Sequence, residues 1–173
     1  KLDGGALMNQ ASHYVDLLEW LGGAVKNVSA SVATISRKIE SEDTAALLVE
    51  WENGGLGTMA VTMLTYPENL EGSITILGKK GTVKIGGKAV NKIEHWCFED
   101  YSEDDNKINE ASYETTSVYG FGHPAFYKNM IGALKGEEKA ICSGEEGLKS
   151  LQILEAAYLS AKNGQKINLP LEN

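Results

Sequence analysis

One short segment near the start of the chain carries side chains suited to binding a polar ligand and moving a proton. On a helix, which turns about 100° per residue, four of its residues share one narrow stripe: Asn9, His13, Asp16 and Trp20. The apolar residues lie on the opposite side: Leu7, Ala11 and Leu18. Asn9 and His13 offer groups that suit a ligand's hydroxyls, whereas a purely solvated face usually carries Lys, Glu and Arg. His13 is therefore a candidate catalytic residue, since imidazole exchanges protons near neutral pH.

Each of these residues also has a structural interpretation that the sequence alone leaves open. A single histidine near a helix start is more often structural than catalytic. Asp16 is favoured early in a helix by the macrodipole and can simply bond to a neighbouring loop. Trp20 belongs to a residue type that more often packs in or beside the core. Tyr14 falls toward the packed side, although its ring can stack on a ligand and its hydroxyl can hydrogen-bond to one.

His123 is a second candidate, because it enters a helix from a glycine-containing turn. It follows the run Tyr119-Gly120-Phe121-Gly122 and precedes Pro124, a residue favoured in the first turn of a helix. Loops of this kind often carry binding groups, so His123 is a candidate substrate contact. A cap for the following helix is the alternative role.

Composition excludes several classes of partner and site. The chain has 24 acidic and 16 basic residues, a net charge of −8, and no basic cluster that could follow a phosphate backbone. Nucleic acid and anionic membranes are therefore poor partners. No apolar run approaches the roughly 20 residues of a membrane span. Cys97 and Cys142 have no metal-ligand or disulfide spacing, so we expect no metal site and a reducing, cytoplasmic setting.

Periodicity predicts the elements that must position these residues. Apolar residues recur every three or four positions from Leu7 to Leu21, which predicts a helix that Gly22-Gly23 ends. Six segments rich in Val, Ile, Thr and aromatic residues predict strands of one antiparallel sheet: Val28–Ile35, Thr44–Glu52, Leu56–Leu64, Ser73–Leu77, Thr82–Ile85 and Val90–Phe98. Short glycine-containing joins predict hairpins and hence a meander.

The second half of the chain is predicted to be mainly helical. Helices are expected at Pro124–Leu134 and Glu145–Ala161, the second with Ser143 as N-cap in capping-box spacing to Glu146. The polar stretch 99–114 is predicted to be a loop, and Lys166–Leu169 a last short strand. We therefore expect the 173 residues to form one α+β domain, a mostly antiparallel, open-faced sheet with helices on one face.

The run Gly55 to Ala60 formally matches the G-x-G-x-x-G/A dinucleotide fingerprint. That fingerprint needs a helix after the glycines, whose N-terminus holds the pyrophosphate. A β-prone run follows here, which favours a hairpin. We therefore expect no cofactor-binding residues in this chain.

The run from Gly4 to Leu18 resembles the Gly-Gly-x-x-x-Asp-x-x-x-His-x-x-Asp segment of the glucose-fructose oxidoreductase/inositol dehydrogenase family. Later landmarks follow in the family's order: Leu77 to Val83, Gly122-His123, Ser143 to Gly147, and Gly164 to Leu171. The resemblance implies a carboxy-terminal, substrate-binding and sheet-forming domain, residues 1–173. It also implies that the chain is a fragment of a longer protein, without the family's amino-terminal Rossmann domain and Glu-Lys-Pro motif.

The resemblance further implies an NAD- or NADP-dependent sugar dehydrogenase, inactive as this fragment alone. The segments look most like the nucleotide-sugar branch, which implies oxidation of a ring hydroxyl of a UDP-N-acetyl-hexosaminuronate in lipopolysaccharide synthesis. His13 matches the family's catalytic histidine, with Asn9, Tyr14 and His123 as further substrate contacts. Asn9 stands where many relatives have Asp, so His13 should be less basic than theirs. The lysine of the missing domain is the other candidate base.

The family's sheet has an open face used for assembly, which implies a homodimer or homotetramer. Alternating apolar residues of two strands are expected to form this face: Leu47, Val49, Trp51, Met59, Val61 and Met63. Two alternatives remain, a non-catalytic oligomerisation module and a sugar-binding module without redox chemistry.

Overall fold

The computed structural model describes residues 4–87, 89–114 and 121–172. Its contacts divide the chain into two compact units, one spanning Lys1–Leu64 and Cys142–Asn173, the other spanning Thr65–Ile141. The helices are α1 (Ser12–Gly22), α2 (Ile108–Ala111), α3 (Gly122–Leu134) and α4 (Gly144–Asn163). The strands are β1 (Val25–Ala33), β2 (Thr44–Trp51), β3 (Leu56–Thr62), β4 (Ile74–Leu77), β5 (Gly81–Gly86), β6 (Lys92–Phe98) and β7 (Ile167–Asn168).

The first unit is an antiparallel sheet backed by two helices. Its four strands lie in the order β3-β2-β1-β7, with β7 on the edge, so the predicted meander is confirmed for β1, β2 and β3. Helix α4 packs on β1, and α1 packs on α4. The core between them is built from buried apolar residues of both layers: Leu7, Ala11, Val15, Val25, Val28, Ala45, Leu47, Val49, Ile153, Leu154, Ala156 and Ala157. The α+β class with helices on one face of the sheet is confirmed.

The predicted open face of this sheet was assigned to the wrong residues. Leu47 and Val49 are buried in the core, and three more of the predicted residues pack against it: Trp51, Met59 and Val61. Met63 lies beyond the end of β3. Alternation along a strand separates two faces without saying which one is covered, and a shift of one residue exchanges them. The face turned away from the helices carries the intervening residues: Ser29, Ser31, Ala46, Leu48, Leu56, Thr58 and Ala60.

The second unit contains an antiparallel sheet in the order β4-β5-β6, so the prediction of one sheet is wrong for the described strands. Short joins specify hairpin neighbours, but the long join 63–73 does not specify a partner for β4. The loop predicted at 99–114 is also wrong in part, because a 3-10 turn at Glu103–Lys107 runs into α2. A capping box between Ser102 and Asp105 begins that turn, and Trp96 Nε1 donates to Asp105 Oδ1 at 2.6 Å.

Helix α4 is confirmed, although it begins one residue earlier and ends two residues later than the predicted Glu145–Ala161. The Ser143 hydroxyl accepts from the Glu146 backbone N–H at 3.3 Å, and Gly164 closes the helix in the left-handed conformation with φ 66°. The Glu146 carboxylate, however, accepts from Lys149 Nζ at 2.8 Å. The Ser143 N-cap is therefore confirmed, whereas Glu146 pairs with Lys149 instead of completing the predicted capping box.

A buried carboxylate holds the connection between β1 and β2. Asp43 accepts hydrogen bonds from the backbone N–H groups of Ile35, Ser36 and Arg37 at 2.8–2.9 Å, and from the Thr44 hydroxyl at 3.0 Å. Burial alone would raise the pKa of Asp43, but the backbone donors and the hydroxyl outweigh it and hold that pKa well below its usual value. The loop therefore depends on the ionised form of Asp43.

We expect Asp43→Asn to lower the stability of the fold and to make that stability depend less on pH in the acid range. A carboxyl with a depressed pKa stabilises the folded state above its unfolded pKa of 3.8, and this stability is lost as the pH falls toward the folded value. Urea midpoints should fall between about pH 6 and about pH 3 in the parent chain and less steeply in Asp43→Asn. Equal slopes in both proteins would contradict this role.

Candidate functional site

The segment with the candidate site is two-sided, as its periodicity predicts. A π-helical turn, Ala6–Gln10, leads into α1. Leu7, Ala11 and Val15 point into the core, while Asn9 and His13 are exposed. The segment is not the single continuous helix predicted, because a π turn precedes α1 and Ala11 lies between them. A pattern of apolar residues does not distinguish a π turn from an α-helix. The structure therefore presents Asn9 and His13 on the side away from the core.

The His13 imidazole lies beside the Tyr14 ring, with 4.4 Å between ring centroids. Partial burial lowers the pKa of His13 below its usual value of 6.5, because desolvation disfavours the charged ring. Burial raises the pKa of Tyr14 in the same way, so its phenol remains protonated. At neutral pH His13 is thus mainly neutral and has a nitrogen that can accept a proton.

Asn9 lies one turn before His13, and its amide is engaged by a neighbour. Its Oδ1 accepts from Gln10 Nε2 at 2.9 Å. Its backbone N–H donates to the Gly5 carbonyl at 3.1 Å, and its own carbonyl accepts from the Ser12 hydroxyl at 3.5 Å. The Asn9 side chain is therefore held on the exposed surface.

The other two residues of the stripe have different environments. Asp16 Oδ1 accepts from the Ser150 hydroxyl at 2.6 Å, so this carboxylate ties α1 to α4. The structural interpretation of Asp16 is thus supported, with a helix in place of the expected loop. Trp20 is 74% exposed, so the core-packing interpretation is wrong for it.

Sequence reasoning missed two residues that hold this segment from behind, Glu42 and Tyr158. Glu42 Oε1 accepts from the Leu7 N–H at 2.8 Å and from the Tyr158 hydroxyl at 2.9 Å. The Tyr158 oxygen accepts in turn from the Met8 N–H at 3.2 Å. Burial, followed by the hydrogen bond and charge of Glu42, raises the pKa of the Tyr158 phenol. No sequence pattern connects these residues, which lie far apart along the chain.

His123 belongs to the second unit. Helix α3 begins at Gly122, two residues earlier than predicted, and His123 lies within its first turn. The N-cap position is Phe121, so the capping role considered for His123 is wrong. Tyr119 and Gly120, which belong to the same motif, lie outside the described residues.

The glycine run at Gly55 does not form a dinucleotide site. Leu56–Thr62 is strand β3, as the hairpin prediction required, so no helix N-terminus follows the glycines to hold a pyrophosphate. Within the described ranges, no group of three or more His, Cys, Asp or Glu side chains is placed to hold a metal ion. None of the helices described is both long and apolar enough to cross a membrane.

A family profile described as "Oxidoreductase family, C-terminal alpha/beta domain" matches residues 1–169. The chain belongs to this oxidoreductase family. The match runs through both units and includes the segment with Asn9 and His13.

Two solved relatives in this oxidoreductase family are similar over nearly the whole chain. The WlbA dehydrogenase from Bordetella pertussis, in complex with NADH and UDP-GlcNAcA, is 59% identical with a TM-score of 0.94, covering 98% of this chain and 49% of the other. The WlbA enzyme from Chromobacterium violaceum, with the same ligands, is 55% identical with a TM-score of 0.91, covering 98% and 47%.

A curated relative, D-apiose dehydrogenase from Rhizobium rhizogenes, is 25% identical over 172 residues, covering 91% of this chain and 46% of the relative. The chain thus spans about half the length of the relatives it matches.

We expect the pKa of His13 to lie below 6.5 and to rise when its neighbour is removed. Tyr14→Ala should re-expose the imidazole to water and return its pKa toward the usual value, since desolvation is the cause of the shift. NMR titration of the imidazole C–H resonances measures both values. A pKa of His13 above 6.5, or one unchanged in Tyr14→Ala, would contradict this assignment.

Proposed function

We propose that this chain is the substrate-side domain of an NAD-dependent dehydrogenase that oxidises a ring hydroxyl of a UDP-N-acetyl-hexosaminuronate. The observation that carries the proposal is the exposed, mainly neutral imidazole of His13 within the segment that matches the family. The ligands of the two WlbA relatives support this choice of substrate and cofactor. The proposal places the reaction in lipopolysaccharide synthesis and in the cytoplasm, since the cysteine pattern favours a reducing compartment.

In this mechanism the chain handles the hydroxyl and its proton. A nicotinamide dinucleotide, bound by the rest of the full-length protein, supplies the hydride acceptor. The ring carbon loses hydride, the hydroxyl loses its proton, and the carbon–oxygen bond becomes a carbonyl. His13 accepts the hydroxyl proton at its unprotonated ring nitrogen. The Asn9 amide and the Tyr14 hydroxyl bind neighbouring polar groups of the sugar and fix which hydroxyl faces His13. His123 is proposed as a further substrate contact.

Two groups can serve as the base in this proposal. The lowered pKa keeps the His13 imidazole unprotonated at neutral pH, but it also makes His13 a weaker proton acceptor. Asn9 carries no charge that would strengthen it. A lysine of the family's other domain is the second candidate, with His13 then orienting the hydroxyl. In both versions His13 contacts the reacting group.

We expect His13→Ala in the full-length protein to lower kcat about a hundredfold or more, since acid–base catalysis contributes about that much. Oxidation of UDP-N-acetylglucosaminuronate is followed by NADH absorbance. The matched control is His95→Ala, which removes an exposed histidine from strand β6. Full activity in His13→Ala would refute the catalytic role. Binding of the sugar without any turnover by the parent protein would favour the alternative of a sugar-binding module.

We also propose that the full-length protein assembles as a homodimer or homotetramer through the open face of the four-stranded sheet. Leu48 and Leu56 on this face are 44% and 73% exposed, and their neighbours are small: Ser29, Ser31, Ala46, Thr58 and Ala60. Small side chains around exposed leucines allow another surface to approach the strands closely.

Leu48→Asp should shift the full-length protein toward monomer, because the new charge would be buried in the contact. Light scattering after size-exclusion chromatography measures the mass. Leu70→Asp, a change at an exposed leucine outside this sheet, is the control. A parent protein that is already monomeric, or an oligomer unaffected by Leu48→Asp, would exclude this interface.

A further inference from the structure

The segment from Ala6 to His13, called the site segment below, carries Asn9 and His13 on its exposed face. Its start is held by two residues that do not reach that face. A helical segment begins with backbone N–H groups that have no partner within the helix. Here the Ala6 N–H donates to the Glu42 carbonyl at 2.9 Å, while the Leu7 and Met8 N–H groups donate to the Glu42 carboxylate and the Tyr158 hydroxyl. Three successive N–H groups are thus hydrogen-bonded by Glu42, which lies just before β2, and by Tyr158 of α4.

Glu42 is well placed to set this geometry because it is itself held tightly. It is only 7% exposed, and both of its side-chain bonds are to the same oxygen, Oε1. The carboxylate also complements the positive end of the helical segment. A buried carboxylate with two donors cannot move without leaving a charged group unsatisfied, which makes its position rigid.

The glycine before the turn supports the same interpretation. A Cβ at Gly5 would lie 2.3 Å from the carboxyl atoms of Glu42. The backbone of Gly5 has φ −111°, which any residue adopts, so glycine is not needed there for conformation. Glycine is needed because the Glu42 side chain passes directly over this backbone position.

The turn that these bonds hold carries Asn9 and leads into the helix that carries His13. The π turn spans Ala6–Gln10, Ala11 follows it, and α1 begins at Ser12. The Asn9 N–H, next along the chain after the three held donors, donates to the Gly5 carbonyl at 3.1 Å. A shift of this turn would therefore move Asn9 relative to His13.

We propose that Glu42 and Tyr158 are positioning residues for the oxidation. By holding the N–H groups of Ala6, Leu7 and Met8, they fix the π turn and keep Asn9 and His13 aimed at the same substrate. This inference rests on the proposed function, because it assigns their effect to the reaction at His13.

Tyr158→Phe in the full-length protein is the decisive variant, since it removes one hydroxyl and keeps the ring in the core. We expect kcat for UDP-N-acetylglucosaminuronate to fall about tenfold, because small misplacements of reacting groups cost at least that much. The KM for NAD should be unchanged. The matched control is Ser160→Ala, which removes another hydroxyl from α4, one that accepts from the Ala30 N–H at 2.9 Å. Wild-type kcat in Tyr158→Phe, or an equal loss in Ser160→Ala, would overturn the proposal.

A double-mutant cycle tests the contact between Gly5 and Glu42. Gly5→Ala should lower kcat in the parent but have a smaller effect in the Glu42→Ala background, where the colliding carboxylate is absent. Glu42→Gln, which keeps an acceptor oxygen, should retain more activity than Glu42→Ala. Additive losses from Gly5→Ala and Glu42→Ala would show that the glycine does not serve the carboxylate.

Amide hydrogen exchange separates failure of this proposal from failure of the proposed function. Tyr158→Phe should speed exchange at Met8 and Leu7, whereas Ser160→Ala should not. If the parent protein oxidises no nucleotide sugar but exchange is faster in Tyr158→Phe, the proposed oxidation is refuted. Glu42 and Tyr158 would then fix the turn without serving that reaction. An active parent with unchanged exchange in Tyr158→Phe would refute the positioning role alone.

Discussion

The packing of α1 against α4, over the sheet, is the constraint on which the rest of the first unit depends. Leu7, Ala11 and Val15 must enter the core, so the opposite side of the segment is turned outward. Burial of a side chain such as leucine or valine contributes about 1.5–3 kcal/mol, so this orientation cannot be exchanged for another at low cost. His13 points outward because Leu7, Ala11 and Val15 occupy the core.

Hydrogen bonds fix the positions of loops and helices more precisely than apolar packing alone does. Adjacent residues divide this work: the Asp43 carboxylate closes the loop between β1 and β2, while Glu42 turns the other way and meets the site segment. Further along α1, Asp16 and Ser150 link the helix to α4. A helix held by both apolar and directional contacts has one angular setting, which a two-residue site such as Asn9 and His13 requires.

The fold was predictable from sequence where information is local. Periodicity located α1, α4 and the strands of the first sheet, and glycine-containing joins identified their hairpins. Local patterns failed where the answer depends on distant partners: the strands divided into two sheets, and Leu47 faced the core instead of the open side. The positions of Asn9 and His13 followed from the period of a helix. The hydrogen bonds of Glu42 and Tyr158 to the start of this segment could not be predicted, because partners so far apart along the chain leave no repeating pattern in the sequence.

The short strand β7 has a consequence for the edge of the first sheet. β7 pairs with β1 only at Asn27 and Val28, and the Leu169 N–H donates to the Lys26 carbonyl. Further along the same edge, the Ala30 N–H donates a hydrogen bond to the Ser160 hydroxyl. Between Lys26 and Ala30, these bonds protect the edge of β1 from pairing with a foreign strand. Trimming the chain after Gly164 would uncover that edge and invite aggregation by strand addition, so any tag or fusion at this end should leave residues 165–169 intact.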